Sequence, residues 1–384
     1  MKRRKFLQHT IGLAGLAAGV HPRLNAAAAT PVRKAVVIGH TGGGNYGHGL
    51  DVLFAGRSGI ELVAVADSDA AGLAKARERT GARRAYADYR EMLERERPEL
   101  VSVAPRWTDQ HHAMVSAALA VGAHVYCEKP FTRTLAEADD LLRLADRAGR
   151  RIAVAHQTRL VPGTLQIKRR LDDGLIGDLR EIRVHGKQDR RGGGEDMVVL
   201  GTHQFDLVRF FAGDPQSCRA RILQGGREIG PADVRAPTED IGPVVGDDVD
   251  ATFTLKSGVT VRYTSRAGRA AADGPMGMEL IGSRGTARFL NDFSPKIFLR
   301  EGDQWRPLEM TPAAKALSAA DALNVANGRV VDDWLAAIAE KREPVCGGRA
   351  AMKSLEMIHA VFAAGLSRSQ VEFPLKNRAH PLAV

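Results

Sequence analysis

The chain has 384 residues, a formal net charge of +10 and an ordinary apolar fraction of 44%. That length allows two domains, and the composition excludes disordered, collagen-like and disulfide-stapled classes. Basic residues past the N-terminus are interleaved with acids, as over residues 75–84. There is no basic block with interleaved aromatics and no helix-turn-helix or zinc-finger spacing, so nucleic acid is not an expected partner. The three cysteines, Cys127, Cys218 and Cys346, form no CxxC pair, and neither a metal site nor a disulfide framework is expected.

Residues 1–30 read as a targeting segment. Lys2, Arg3, Arg4, Lys5 and Arg23 supply half of the net charge, with no acid among those residues. An apolar stretch over residues 11–20 and an alanine-rich stretch follow, which is the three-part layout of a cleaved signal. The apolar part is too short for an ordinary membrane span, and no later stretch is long and apolar enough, so a soluble mature protein is expected. Arg3-Arg4-Lys5-Phe6-Leu7 resembles the twin-arginine export motif, with Lys2 where a Ser or Thr is usual. The resemblance implies export of an already folded protein to the periplasm or beyond, with cleavage near residues 27–30. A generic secretory signal or an uncleaved anchor is the other reading.

Residues 35–38 form a short apolar, β-branched run suited to a strand buried on both faces. It leads into Gly39-His40-Thr41-Gly42-Gly43-Gly44-Asn45-Tyr46-Gly47, where Gly42, Gly44 and Gly47 fit GxGxxG. Gly39 closes the strand early, so the loop reads as one residue over length. Glycine suits such a loop because a tight turn needs positive φ and a side chain blocks backbone approach to a pyrophosphate. Residues 46–55 are expected to form the helix whose N-terminus faces the phosphates. A second apolar run ends at Asp67, whose carboxylate suits both ribose hydroxyls and repels a 2′-phosphate, favouring NAD over NADP; its other reading is a cap for the next helix. Strand-like runs at 100–104, 124–127 and 152–155 alternate with helical patterns at 89–97, 111–120 and 135–148. The alternation predicts a Rossmann-type, doubly wound parallel α/β sheet over residues 31–155.

The stretch HHAMVSAALAVGAHVYCEKPFTRTLAEADDLL carries His111, Gly122, His124-Val125 and Glu128-Lys129-Pro130 at the spacing of a known family. It resembles the Gfo/Idh/MocA family of glucose–fructose oxidoreductase, inositol dehydrogenase and their relatives. RLVPGTLQIKRRLDDGLIGDLREIRV is similar to that family's entry into its second domain, and GTHQFDLVRFFAG to its catalytic helix. MELIGSRGTARF is similar to its late hairpin, and VVDDWLAAIAEKREPVCGGRAAMKSLEMIHAVF to its C-terminal helices. The resemblance covers roughly residues 33–375.

From that resemblance, Lys129 and His203 are the expected catalytic pair. The lysine steadies the substrate oxygen and the neutral imidazole takes the hydroxyl proton. Gly39, Gly42, Gly44, Gly47, Asp67, Pro105, His111, Glu128 and Lys129 are expected on the cofactor, and Arg159, Lys187 and His203 on the substrate. Asp206 either orients His203 or is structural, and Trp107 either stacks near the nicotinamide end or packs. One position departs from the family's pattern. Many members place an Asp four residues before the histidine, where this chain has Val199. Either the histidine works alone with Lys129, or Glu195 or Asp196 replaces the acid, or the reaction itself has changed.

Residues 156–384 are expected to form an α+β substrate domain. Strand-like runs at 181–184, 251–255, 259–265, 278–281 and 287–290 carry hairpin-turn signals at 256–258 and 283–285, and 227–248 reads as a long loop. The resemblance implies an open, mostly antiparallel sheet with helices on one face and a homodimer or homotetramer built on the other. The leading function is hydride transfer between a tightly held NAD and a sugar, polyol or sugar derivative. An exported NAD-dependent glycoside hydrolase and a non-catalytic sugar- or nucleotide-binding protein are the alternatives.

Overall fold

The computed structural model describes residues 32–269, 277–290, 295–311 and 319–383. The targeting segment and its cleavage site lie outside the described residues.

A six-stranded parallel sheet comes first: β1 (Arg33–Ile38), β2 (Ile60–Ala66), β3 (Arg84–Tyr86), β4 (Leu100–Val103), β5 (His124–Cys127) and β6 (Ile152–Val154), in the order β3-β2-β1-β4-β5-β6. Helices α1 (Ala70–Thr80), α2 (Tyr89–Glu96), α3 (His111–Ala120) and α4 (Leu135–Ala148) connect the strands. Local chemistry sets their ends. Thr134 and Glu137 form a reciprocal capping box on α4, and Gly149 ends it in the left-handed conformation. Asp69 caps α1 through the Gly72 N–H. The strand order reverses between β1 and β4, so a crevice opens at the carboxyl ends of those two strands, where open α/β sheets bind ligands.

The helix expected over residues 46–55 does not form; the chain runs through successive turns there. Gly42, Gly44, Asn45, Gly47 and Gly49 all take positive φ, between 56° and 90°, and each such residue interrupts a right-handed helical run. Packing holds the segment instead. Leu50, Leu53 and Phe54 are buried against Val330, Val331 and Trp334.

The remaining elements are α5 (Pro162–Asp172), β7 (Leu179–His185), α6 (Gly194–Val199), α7 (Gly201–Ala212), β8 (Pro215–Gln224), β9 (Arg227–Glu228), β10 (Asp248–Leu255), β11 (Thr260–Arg266), β12 (Gly277–Gly282), β13 (Thr286–Leu290), β14 (Lys296–Glu301), β15 (Gln304–Pro307), α8 (Ala319–Glu340), α9 (Gly348–Ser367) and β16 (Val371–Glu372). The described strands form one mixed sheet in the order β15-β14-β13-β12-β7-β11-β10-β8-β16, with β9 on β8. Among the described residues only β7 and β11 pair in parallel; every other pair in this sheet is antiparallel. Along β10 and β11 the inward side chains Val249, Ala251, Phe253, Val261 and Tyr263 alternate with polar outward ones, as a sheet covered on one face requires.

Two segments cross the division at residue 156. α8 follows the second sheet in sequence but packs on the first, its Trp334 fully buried with Ala35, Val37 and Tyr126. The long loop 229–247 reaches back the other way. Thr108 donates its N–H to the Asp240 carbonyl at 2.9 Å, and Arg133 pairs with the Asp240 carboxylate. The two domains therefore share a strapped cleft.

Burial holds four histidines neutral: His124, His156 and His380 are pushed down to about 4 and His359 to about 3, from an ordinary value of 6.5. The unfolded chain takes up these protons near pH 6.5 and the folded chain does not. Stability present above pH 6.5 is therefore lost as the pH falls towards 4. The melting temperature should drop by several degrees over that window in scanning calorimetry, and the drop should be shallower in His380→Gln.

Candidate functional site

β5 ends at Cys127 and delivers Glu128 and Lys129 to the crevice, with a cis bond between Lys129 and Pro130. Glu128 has no exposed surface. Its carboxylate takes His48 Nδ1 at 3.0 Å and the His48 N–H at 3.4 Å. Burial works to raise the Glu128 carboxyl, but His48 and Lys129 outweigh it and hold the group below the usual carboxylate range. Lys129 is 4% exposed and donates from Nζ to the Val199 carbonyl at 3.1 Å. Burial pulls its ammonium below the ordinary lysine value, Glu128 and Glu239 oppose that, and Arg106 and Arg191 add to it.

α7 brings His203 to the same place from the second domain. Its ring is 6% exposed, lies edge-on to His156 with centroids 5.5 Å apart, and leaves Nδ1 without a partner among the described residues. Burial, then the charges of Lys129, His156 and His48, push it well below the ordinary histidine value. It is therefore a neutral imidazole at pH 7, the form a general base requires. Gly201 permits this approach, because a Cβ there lies 3.0 Å from the buried Tyr263 hydroxyl.

Several expected ligands are already engaged. Arg159 grips Asp206 through Nε at 2.9 Å and a second nitrogen, and also donates to the Asp206 and Val345 carbonyls. It holds the domain entry together and presents no free guanidinium edge to a substrate. Asp206 is consumed by that pair and lies 3.7 Å from His156 Nδ1, so the carboxylate that was a candidate for orienting His203 serves other groups. Glu195 accepts from Thr238 and Arg235; Asp196 accepts from Ser265 and from the Lys187 and Gln188 N–H groups. Neither replaces the acid missing at Val199, whose backbone oxygen instead holds Lys129. His111 is wholly buried, with its ring nitrogens at the Phe131 and Pro105 carbonyls, 3.1 and 2.8 Å away. It fixes the loop after β4 and does not line the crevice. Lys187 is half-buried with Nζ 3.4 Å from Asp189, and Asp189 also holds Arg191, which reaches Glu239 at 3.6 Å.

The glycine loop is a small closed hairpin. His40 and Asn45 exchange backbone bonds of 3.1 and 2.8 Å. A Cβ on Gly44 lies 2.4 Å from the Arg106 N, and one on Gly47 lies 2.5 Å from the Ala104 carbonyl, so only glycine lets the loop lie against the chain after β4. Gly39, Asp67, Tyr89, Gln110 and Met114 line a cavity of about 310 Å³, within the ordinary range for small-molecule sites. Asp67 stands at its wall with both oxygens occupied by the Thr41 N–H and hydroxyl, the Tyr46 hydroxyl and the Asp69 N–H. In this arrangement it pins the loop and offers no free carboxylate edge. A crevice that holds this glycine cradle together with the orphaned Arg106 Nε and His203 Nδ1 nitrogens fits a dinucleotide cofactor. Thr41, Tyr46 and His48 escaped the sequence reading. The one available signal was a polar side chain, His48, directly after the third glycine.

Residues 33–156 match the profile of an oxidoreductase family with an NAD-binding Rossmann fold, and residues 164–288 match the GFO/IDH/MocA C-terminal domain. The chain belongs to the GFO/IDH/MocA oxidoreductase family. A D-apiose dehydrogenase of Paraburkholderia graminis is 28% identical over 330 residues, covering 82% of this chain and 83% of that protein. Among solved structures, an aldose–aldose oxidoreductase of Caulobacter crescentus complexed with glycerol superposes with a TM-score of 0.69 at 18% identity, over 89% of this chain and 100% of that one. A levoglucosan dehydrogenase complexed with NADH and levoglucosan gives 0.70 at 19% identity, again over 89% and 100%. These superpositions establish that this GFO/IDH/MocA chain shares their fold. No described helix is long and apolar enough to cross a membrane.

Arg159→Met leaves Asp206 buried and unpaired. Urea unfolding should show a loss of about 3–5 kcal/mol. A substrate ligand at this position would instead raise KM with stability unchanged.

Proposed function

We propose that the chain is an exported enzyme that moves hydride between a retained NAD and a secondary hydroxyl of a sugar or polyol. The observation that carries this reading is the neutral His203 imidazole with its unpartnered Nδ1, set beside Lys129 at the sheet's switch point. Lys129 holds the substrate oxygen and stabilises its developing charge, and His203 takes the hydroxyl proton. The bound nicotinamide supplies the hydride acceptor. Asp67 at the cavity wall disfavours a 2′-phosphate and supports NAD over NADP. The twin-arginine-like start supports export of a folded protein to the periplasm, where a tightly held cofactor must be regenerated in place. That favours two half-reactions on paired substrates. Names among the relatives, a D-apiose dehydrogenase and a D-glucoside 3-dehydrogenase of Escherichia coli, support a carbohydrate substrate. The open face of the second sheet, with Arg183, Arg262, Glu279 and Arg288 around a cavity of about 380 Å³, is the surface on which we place self-association.

Val199 favours a second reading, in which oxidation is transient and a glycoside is cleaved without net reduction of NAD. One experiment tests both. Protein purified without added nucleotide is denatured and its NAD(H) and NADP(H) counted, and intact protein is mixed with D-apiose, D-glucose, myo-inositol, levoglucosan and methyl β-D-glucopyranoside. Near-stoichiometric NAD(H), reduced by one of these sugars, is the expected result. His203→Ala should slow that reduction about 10²- to 10⁴-fold with nucleotide content unchanged. A protein that neither carries nor binds a nicotinamide nucleotide sinks both readings. Release of methanol from the glucoside without net NADH supports the second.

A further inference from the structure

His203 lacks the support a catalytic base usually has. The family's usual acid is absent at Val199, and Glu195 and Asp196 are bonded to loop groups. Its Nδ1 has no partner among the described residues, so no hydrogen bond at that nitrogen fixes the ring. A base has to be aimed, because a misplacement of about 1 Å costs on the order of 10²-fold in rate.

The ring packed against it is His156, just after β6. The two rings stand edge to face, with centroids 5.5 Å and planes 75° apart, a geometry that aromatic pairs favour. His156 engages α7 on both sides of the base in sequence. Its Nε2 lies 2.9 Å from the Thr202 hydroxyl, and its Nδ1 faces Asp206 Oδ1 at 3.7 Å. The carboxylate favours a proton on Nδ1, so Nε2 accepts from Thr202. With both nitrogens turned to Thr202 and Asp206, ring packing is what His156 gives to His203.

The backbone of His156 is anchored as well. Its N–H donates to the Val154 carbonyl at 2.7 Å, and its carbonyl accepts from Cys346 Sγ at 3.4 Å and from the Arg159 N–H at 3.2 Å. Arg159 in turn holds Asp206 in place. The charged groups around His156 are Asp206, Arg159, Lys129 and Arg209; burial outweighs Asp206 and keeps the ring neutral at pH 7. Those around His203 are Lys129, His156 and His48.

We propose that His156 is the positioning residue for the base: engaged with α7 on either side of His203, its ring orients His203 and shields it from water, in place of the carboxylate absent at Val199. The proposal rests on the hydride-transfer reading. A carboxylate beside His203 favours the imidazolium. A neutral ring supplies orientation without that charge, so His203 stays free to accept the hydroxyl proton.

Reduction of the bound cofactor by the sugars named above is followed in single turnovers over about pH 5 to 9. The titration of His203 is read independently by NMR on labelled histidine, assigned with His203→Ala. In His156→Ala the reduction rate should fall about 10- to 100-fold with the half-saturating sugar concentration unchanged. Water then reaches the ring, so the His203 titration should move up towards the ordinary histidine value. His156→Phe keeps a planar ring and loses both nitrogens; it should recover most of the lost rate and keep the low titration. His156→Leu fills the space without a planar ring. It should lose rate as the alanine variant does, and it covers the case in which that variant does not fold. An alanine variant with wild-type rate and titration overturns the inference. So does a phenylalanine variant as slow as the alanine one, which leaves His156 as a hydrogen-bonded anchor for α7. A wild-type protein whose bound cofactor none of these sugars reduces overturns the hydride-transfer reading, while the His203 titrations still decide whether His156 encloses that imidazole.

Discussion

Glu128 is a carboxylate with no exposed surface, and the crevice is organised around it. It follows β5 directly, receives both the ring and the N–H of His48, and is covalently adjacent to Lys129. Burying a charge of this kind costs several kcal/mol unless it is paired and hydrogen-bonded. The pairing draws the glycine segment against the end of the parallel sheet, where an ordinary Rossmann domain uses a helix. The same carboxylate helps keep the neighbouring ammonium charged against the pull of burial.

The cleft depends on contacts that cross between the domains. Lys129 donates to the carbonyl of Val199, the last residue of α6, immediately before the turn that starts α7 and places His203. Asp240 ties the long loop to Thr108 and Arg133, and α8 returns to bury Trp334 under the first sheet. The His203 environment is therefore made by both domains. Its neutrality comes from enclosure between them together with the nearby Lys129 charge, and neither domain alone supplies both.

Polar groups that look reactive in a list of residues are mostly structural here. Arg159 and Asp206 satisfy each other in a buried bidentate pair, His111 bridges two carbonyls, and Asp196 closes the loop ahead of α6. A buried polar group must find partners or cost free energy, so most charged side chains near the cleft are bound to its walls. Side-chain nitrogens without a partner among the described residues include His203 Nδ1 and Arg106 Nε, and a third of the His48 side chain is exposed.

The parallel sheet, most of the helices between its strands and the glycine turn were legible in the chain by itself, while Lys129 and His203 were singled out by the family resemblance. Continuous apolar runs, capping residues and ordered motifs are local signals, and they follow from steric and hydrophobic rules that act over a few residues. Tertiary structure decided the rest. Positive φ at Gly47 and Gly49 replaced the expected helix at 46–55 with turns, and long-range packing sent α8 back to the first domain. Whether Arg159, Asp67 or His111 is available to a ligand depends on Asp206, Thr41 and Phe131, partners that lie 20 to 47 residues away in sequence. His48 gains its place only because Glu128, 80 residues later, is buried beside it. Sequence patterns report what a residue is able to do, while hydrogen bonds closed across long stretches of chain decide which residues remain free to do it.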